Sequence, residues 1–331
     1  MRRRPLATAA LAVALLGGLA ACGDDDQAKA DTAPAGTVTI GAQAGGIAKP
    51  TELKVDKQQA IADLVPEAIK SDGKLTIGLG ALPTGFPPLA FVGDDDKTFT
   101  GAEPDLGRLV AAVLGLKPEF NNDTWDNLFV GLDSGKNEVG FSNITDTEQR
   151  KEKYDFASYR QDNLGFAVKA GNSWNFDKNY QNLAGLKVAV GAGTNQEKIL
   201  VAWQEKLKAE GKTLDIKYFA DTPSTFKAIV SGQIDGYFGP NPGIAYQISK
   251  TKGTADEVRN AGVYSGAGAS MQGLIAATTK KDNGLVKALA AAIDYLIRTG
   301  QYKQWLAAYN LDTEAVDRSA VNPPGLPKSN A

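Results

Sequence analysis

Apolar and polar positions follow two different periods along this chain, and the switches between them mark its elements. Leu75, Ile77 and Leu79 alternate with Thr76 and Gly78, the period of two of a strand. Leu106, Leu109, Val110, Val113 and Leu114 then recur at the spacing of one helix face, and Gly115 stands where a helix C-terminal cap is expected. Between these two segments, Asp94-Asp95-Asp96 reads as a hairpin tip. A second helix carries Trp125, Leu128, Phe129 and Leu132 and ends at Gly135; Val139 and Phe141 belong to the next strand. The scheme then repeats. Val188-Ala189-Val190 is a buried strand, followed by a helix with Ile199, Leu200, Trp203 and Leu207. Another helix opens at Thr222-Pro223, carries Phe226, Ile229 and Val230, and stops at Gly232; a strand runs from Ile234 to Phe238. A long helix (Leu285, Leu289, Ile293, Leu296, Ile297), Gly300, and a short helix through Tyr302, Trp305 and Tyr309 complete the pattern. This alternation predicts an α/β fold with mainly parallel sheets, and the length favours two such units.

The two ends depart from the pattern. Arg2, Arg3 and Arg4 precede an uncharged stretch of small and apolar residues from Leu6 to Ala21, which stops at Cys22. That is the layout of an export signal, and its roughly 16 residues fall short of the ~20 a spanning helix needs. Residues 1–21 are therefore read as a signal peptide. Leu19-Ala20-Ala21-Cys22 resembles the lipobox of bacterial lipoproteins, in which the cysteine is acylated and becomes the mature N-terminus. Residues 22–71 are read as a lipid-anchored linker and lead-in. Its first part, 23–50, is rich in Ala, Gly, Asp and Thr and expected to be a flexible stalk. Residues 58–70 form a lead-in helix interrupted by Pro66. The tail over 312–331, with Pro323, Pro324 and Pro327, is expected to be loose.

Composition narrows the chemistry. The chain has 331 residues, one cysteine and no histidine. Without histidine, Ser-His-Asp and Cys-His catalysis and most zinc sites are excluded, and neither a metal nor a cofactor is expected. With Cys22 acylated there is no disulfide, so the body depends on burial. Removing the three signal arginines leaves 33 basic against 38 acidic residues. No basic patch stands out, so nucleic acid is not an expected partner.

Ligands of open α/β sheets bind beyond the carboxyl ends of strands, and four segments occupy such places. Gly85-Phe86-Pro87-Pro88 has two prolines fixing the aromatic before them: either a rigid wall for a ligand or a buried turn residue. Ser142-Asn143-Ile144-Thr145 leads to Thr147-Glu148-Gln149-Arg150, which puts an arginine in the first turn of an expected helix. The macrodipole disfavours a cation there, yet Arg150 is well placed to grip a carboxylate; the alternative is a surface arginine paired with Glu148 or Glu152. Thr194 and Glu197 have capping-box spacing, at a helix start whose amides can hold an anion. Asn241 before Pro242 reads as an N-cap.

The order of these segments leads to a family. From about Lys74 to Leu311 the chain resembles the family 3 solute-binding proteins, the polar amino-acid-type receptors of ABC importers. The matching segments are Gly85-Phe86-Pro87-Pro88, Gly101-Ala102-Glu103-Pro104-Asp105-Leu106, Trp125-Asp126-Asn127-Leu128, Thr147-Glu148-Gln149-Arg150 with Tyr154-Asp155-Phe156, Leu186-Lys187-Val188-Ala189-Val190 with Gly193-Thr194, Ser231-Gly232-Gln233-Ile234-Asp235, and Gly300-Gln301-Tyr302. The resemblance implies a type II periplasmic-binding-protein-like fold: two α/β lobes joined by a two-stranded hinge. Lobe 1 would comprise residues 72–160 plus 270–311, and lobe 2 residues 165–265.

The resemblance also implies roles. Arg150 would hold a ligand carboxylate, with Thr194 and the amide of Asn195 as partners from the opposite lobe. Asn143, through its carbonyl, and Thr145 would face an ammonium group, while Phe86 and Trp125 would sandwich the ligand side chain. Two departures stand out. Pro240 replaces an aspartate that many relatives use for the ammonium, with Asn241 as a possible neutral substitute. The loop Gly80-Ala81-Leu82-Pro83-Thr84 lacks the acid found in relatives that take cationic amino acids, which weighs against Arg, Lys or His as ligand. The expected protein is a monomeric binding receptor, not an enzyme. It sits lipid-anchored on the outer face of the cell membrane, with an amino acid or related carboxylate as ligand and an ABC permease as partner. A solute sensor without transport, and a dehydratase using Glu103 or Asp146, remain alternatives.

Overall fold

A computed structural model describes residues 36–328; the expected signal peptide and Cys22 lie outside the described residues. The chain enters through a hairpin, β1 (Thr37–Ile40) and β2 (Thr51–Lys54), followed by two short helices, α1 (Gln59–Ala62) and α2 (Glu67–Lys70), that are separated at Pro66. Next come β3 (Lys74–Leu79), the two-stranded β4 (Phe91–Val92) and β5 (Phe99–Thr100), α3 (Ala102–Leu114), β6 (Lys117–Asn122), α4 (Trp125–Ser134) and β7 (Val139–Gly140). A 16-residue strand, β8 (Tyr154–Lys169), leads to β9 (Lys187–Val190), α5 (Asn195–Ala209), β10 (Asp215–Lys217), α6 (Thr222–Val230), β11 (Gly236–Pro240) and α7 (Asn241–Thr251). The chain returns through β12 (Val258–Ser265) and β13 (Gly273–Lys280), and closes with α8 (Val286–Thr299) and α9 (Gln301–Ala308).

Nine of these strands form one sheet, ordered β10-β9-β11-β8-β13-β7-β3-β6 with β12 also on β8. The sheet holds two sub-assemblies. β3 runs parallel to β6 and β7, and β9 runs parallel to β10 and β11, the βαβ arrangement the alternation predicted. β8, β12 and β13 are antiparallel, which the sequence reading did not anticipate. The reason is topological. β8 pairs with β13 over Tyr154–Asp162 and with β12 over Asn163–Lys169, so it passes from one sub-assembly to the other while β12 and β13 carry the chain back. The molecule is therefore a two-lobed α/β protein of the type II binding-protein fold, its lobes joined by the strand pair around Asp162 and Gly273.

Each lobe has its own apolar interior. Leu75, Ile77 and Leu79 pack with Leu106, Leu109, Val110, Phe141 and Trp305 in lobe 1. Phe166, Phe176, Trp203 and Phe238 form an aromatic cluster in lobe 2, with Phe166 and Phe238 stacked at 4.4 Å.

Two expectations about the ends are corrected. The flexible stalk does not extend to residue 50: Val38, Ile40 and Leu53 are buried in the lobe 1 core, and the Gly41 amide donates to Asp105 Oδ2 at 2.6 Å. The tail beyond residue 311 is not loose. Glu314 is buried against Arg160, Asn322 donates to Asp155 Oδ1 at 2.9 Å, and Leu326 is buried among the lobe 2 residues Leu183, Trp203 and Ala267. Leu326 also bridges Thr147 of lobe 1, and Lys198 on α5 donates to the Pro327 carbonyl at 2.9 Å. The tail thus crosses from one lobe to the other, a course that only the tertiary structure shows.

Candidate functional site

The segments after β3, β9 and β11 converge on a cavity of about 360 Å³ between the lobes, within the range of small-molecule sites. From lobe 1 it is walled by the Gly80–Ala90 loop, the start of α4 and Asn143; from lobe 2 by the loop after β9, the start of α6 and the end of β11. Phe86 and Trp125 both line it. The Phe86 ring also reaches α7: a Cβ at Gly243 would lie 2.7 Å from its Cε2 and Cζ, so a glycine is what lets these lobes approach there. Trp125 donates from Nε1 to the Gly193 carbonyl at 3.3 Å, a second contact across the cleft.

Arg150 opens a short 3-10 turn (Arg150–Glu152). Its guanidinium donates to the Thr145 carbonyl at 2.9 Å and, across the cleft, to the Gly193 carbonyl at 3.3 Å. It lies 5.3 Å from the Trp125 ring centre and 5.2 Å from that of Phe129, so two aromatic faces hold it in place. Burial pulls its pKa down to about 10, which leaves it charged at neutral pH. The surface-arginine alternative is not what is seen, because Lys151 takes Glu148 and Lys328 takes Glu152. Arg150 faces a second cavity of about 610 Å³, which shares Thr194 and Asn195 with the first.

Thr194 is the N-cap of α5: its hydroxyl accepts from the Glu197 amide at 3.2 Å and donates to the Gly191 carbonyl at 2.6 Å. The capping box closes differently from the usual form, since Glu197 accepts from the Gly193 amide at 2.6 Å. Asn143 lines the first cavity in a left-handed conformation (φ 51°), and its side-chain oxygen accepts from Arg160.

Other expected residues are placed differently. The Thr145 hydroxyl donates to Asp162 Oδ2 at 2.7 Å, and Asn195 Nδ2 donates to the same oxygen at 2.9 Å. The Thr145 hydroxyl is therefore engaged within the protein, and Thr145 contributes its carbonyl, to Arg150; Asn195, read for its backbone amide, lines both cavities at the start of α5. Asn241 is not an N-cap and not part of the cavity wall. It is the first residue of α7, capped by Pro240, and its Oδ1 accepts from Asn260 Nδ2 at 3.0 Å. It therefore does not replace the missing acid. Neither of the two acids considered for catalysis stands free in the cavity. Glu103 reaches the cavity wall but is bonded to Tyr159 and, at 3.1 Å, to Arg160, while Asp146 is buried beside the tail at Gly325.

Several wall residues escaped the sequence reading. Asp126 and Asp221 stand on opposite sides of the first cavity, which no lysine or arginine lines. Asp221 caps α6, accepting from the Ser224 amide at 2.7 Å; an aspartate immediately before Thr222-Pro223 was the available signal. Phe219, Thr225 and Tyr237 complete that side. Tyr237 arises from strand alternation alone, and burial pushes its phenol up to about 12.

A two-lobed α/β body with an interlobe cavity, contacts across it and a half-buried arginine in the adjoining cavity defines the solute-binding class. The profile of the bacterial extracellular solute-binding proteins, family 3, matches residues 79–312, and the chain belongs to that family. It is 30% identical over 233 residues to the L-cystine-binding protein TcyJ of Escherichia coli (strain K12), covering 70% of this chain and 80% of that one. It is 29% identical over 275 residues to the arginine-binding protein ArgT of Corynebacterium glutamicum, covering 82% and 85%. Among solved structures, an ancestral arginine-binding protein bound to arginine superposes with a TM-score of 0.61 at 25% identity, covering 72% of this chain and 98% of that one. An ancestral amino acid-binding protein described as a precursor of cyclohexadienyl dehydratase gives 0.60 at 26%, covering 73% and 97%. Among the described residues, no helix is long and apolar enough to cross a membrane.

Proposed function

We propose that this protein is a lipoprotein anchored through Cys22 on the outer face of the cell membrane. It binds an amino acid or related small carboxylate between its lobes and hands it to an ABC permease. The observation that carries the reading is Arg150: a guanidinium held by two aromatic rings and by the Thr145 carbonyl, opposite the α5 N-terminus on the other lobe. A ligand carboxylate placed there meets a fixed cation and the amides of a helix start, in a cleft where reduced dielectric strengthens both. The contacts that Arg150 and Trp125 make to Gly193 give closure a reason to tighten the same end of the site.

The first cavity, which adjoins the one Arg150 faces, favours positive charge. Asp126 and Asp221 lie on its walls without a lysine or arginine among them, and together they take the place of the aspartate that Pro240 displaces. They also supply the acids absent from the Gly80–Thr84 loop, so cationic amino acids stand beside cystine as candidate ligands, in keeping with the cystine and arginine relatives. Titration calorimetry with L-arginine, L-histidine, L-cystine and neutral amino acids tests the class. Arg150→Ala is expected to weaken the binding amino acid by roughly 2–4 kcal/mol, since a desolvated charge pair loses one partner. An unchanged affinity overturns the assignment of the carboxylate end.

A further inference from the structure

Four segments belonging to different parts of the clamp meet at one carboxylate. Asp162 lies on β8 at the point where that strand changes partners, with Gly273 of β13 opposite it and the Asn163–Ser265 pair next along. It is 2% exposed. A single oxygen, Oδ2, accepts from Thr145 Oγ1 of lobe 1 and from Asn195 Nδ2 at the start of α5 in lobe 2. Asn195 gives a further bond to the Gly266 carbonyl at 3.0 Å, on the return crossing. A Cβ at Gly266 would lie 1.7 Å from Asp162 Oδ2, so the return crossing closes over the carboxylate where only a hydrogen fits. Nothing in the ligand cavity requires this arrangement: Asp162 does not line it.

We propose that Asp162 is a positioning residue that couples lobe closure to the grip on the ligand carboxylate. The proposal rests on the reading of the protein as a binder that closes on its ligand. In the closed form the carboxylate ties Asn195 of lobe 2 to Thr145 of lobe 1. Thr145 in turn presents its carbonyl to Arg150 at 2.9 Å, so the tie reaches the arginine through a single residue. Swinging the lobes apart moves Asn195 with α5 and Thr145 with lobe 1. At least one of the two bonds to Oδ2 must then break, leaving a buried donor without its acceptor until water replaces it. The carboxylate thus favours the closed form and, in that form alone, fixes the Thr145 carbonyl beneath the guanidinium.

Pulsed electron resonance distances test this in the full chain carrying Cys22→Ser, with nitroxides at Val130→Cys on α4 and Val201→Cys on α5, both exposed positions on opposite lobes. Asp162→Ala is expected to move population to longer distances and to weaken the binding amino acid about tenfold. Asp162→Asn, which keeps an acceptor oxygen, should restore most of both. Thr145→Val should repeat part of the shift alone and add little in the Asp162→Ala background, the non-additivity of a shared interaction. Wild-type distances and affinity in Asp162→Ala, or full additivity with Thr145→Val, overturn the proposal. If Asp162→Ala fails to fold, Asn195→Ala breaks the same tie from α5, and an unchanged distance there overturns it equally. If none of L-arginine, L-histidine and L-cystine binds the wild type, the ligand reading fails, while the distances without ligand still decide the role of Asp162.

Discussion

Replacing Arg160 by methionine removes the charge at the centre of a buried ionic cluster while keeping a long side chain. Arg160 is 1% exposed and pairs with Glu103 and Glu314, at 0% and 2%. Its guanidinium also supports the Asn143 side chain. Methionine would leave two carboxylates buried near each other with no cation between them. Removing one partner of a buried pair costs about 3–5 kcal/mol, and this value is expected for Arg160→Met near pH ~7. The carboxylates can relieve the cost only by protonation. Burial already raises Glu314, and loss of Arg160 raises it further. A carboxylate whose folded pKa lies above its unfolded value favours the fold at low pH and loses that contribution as pH rises through the folded pKa. The deficit should therefore shrink between about pH 7 and about pH 5. Glu314→Gln is the contrasting case: it leaves Arg160 and Glu103 as a balanced pair and should cost below roughly 2 kcal/mol. Urea unfolding followed by tryptophan fluorescence reads both. A loss under about 1 kcal/mol in Arg160→Met, or an equal loss at the two pH values, refutes the reasoning.

Two further outcomes follow from the tail and its surroundings. Burial raises Asp146 from 3.8 to about 7, and neither of its oxygens has a hydrogen-bond partner although Lys151 Nζ lies 3.4 Å away. Its ionisation therefore opposes folding as pH rises through about 7. Asp146→Asn should flatten that dependence and raise the unfolding free energy near pH ~8 by at most roughly 4 kcal/mol, read as a higher urea midpoint; a lower midpoint at that pH contradicts it. Leu326→Ala empties a position buried to 1% in the lobe 2 core and should cost about 2–5 kcal/mol by the same assay. Thermal unfolding indistinguishable from wild type would show that the tail does not hold lobe 2.

The helix ends were legible because their chemistry is local. Gly115, Gly135 and Gly300 all sit in the left-handed region, at φ 69°, 79° and 89°, where a side chain is strained. β3 was legible from its alternation, and β9 from its unbroken apolar run. β11 lies two residues later than Ile234–Phe238 suggested, because its pairing with β8 and β9, not its composition, fixes where it begins. The hairpin over residues 37–54 was missed since two four-residue strands separated by a Gly-rich loop carry too little period to stand out. Leu326 was missed for a related reason: one apolar residue among prolines has no pattern until Thr147 and the lobe 2 core lie beside it. At the site, Phe86, Trp125, Asn143, Thr194 and Asn195 were legible as residues that line the cavity, but the partners of the polar side chains were not. Thr145 and Asn241 were read for polar side-chain roles, and their side chains are engaged with Asp162 and Asn260, contacts made across more than ten residues of sequence; the Asn195 side chain, for which only the backbone amide was read, also reaches Asp162. A clue was present in Arg160 and Asp162, two charges within a strand otherwise bounded by Phe156 and Phe166. Charges in such a place are buried only when paired.

The entry hairpin has a mechanical consequence. β1 and β2 are ladder-paired to each other and rooted in the lobe 1 core through Ile40, Leu53 and the Gly41–Asp105 bond. A pull exerted on the chain ahead of Gly36 is therefore delivered to lobe 1 and resisted there, before it reaches the crossing strands. Lobe 2 meets such a load only through the crossing strands and the tail, so a tether ahead of Gly36 would hold the molecule by lobe 1.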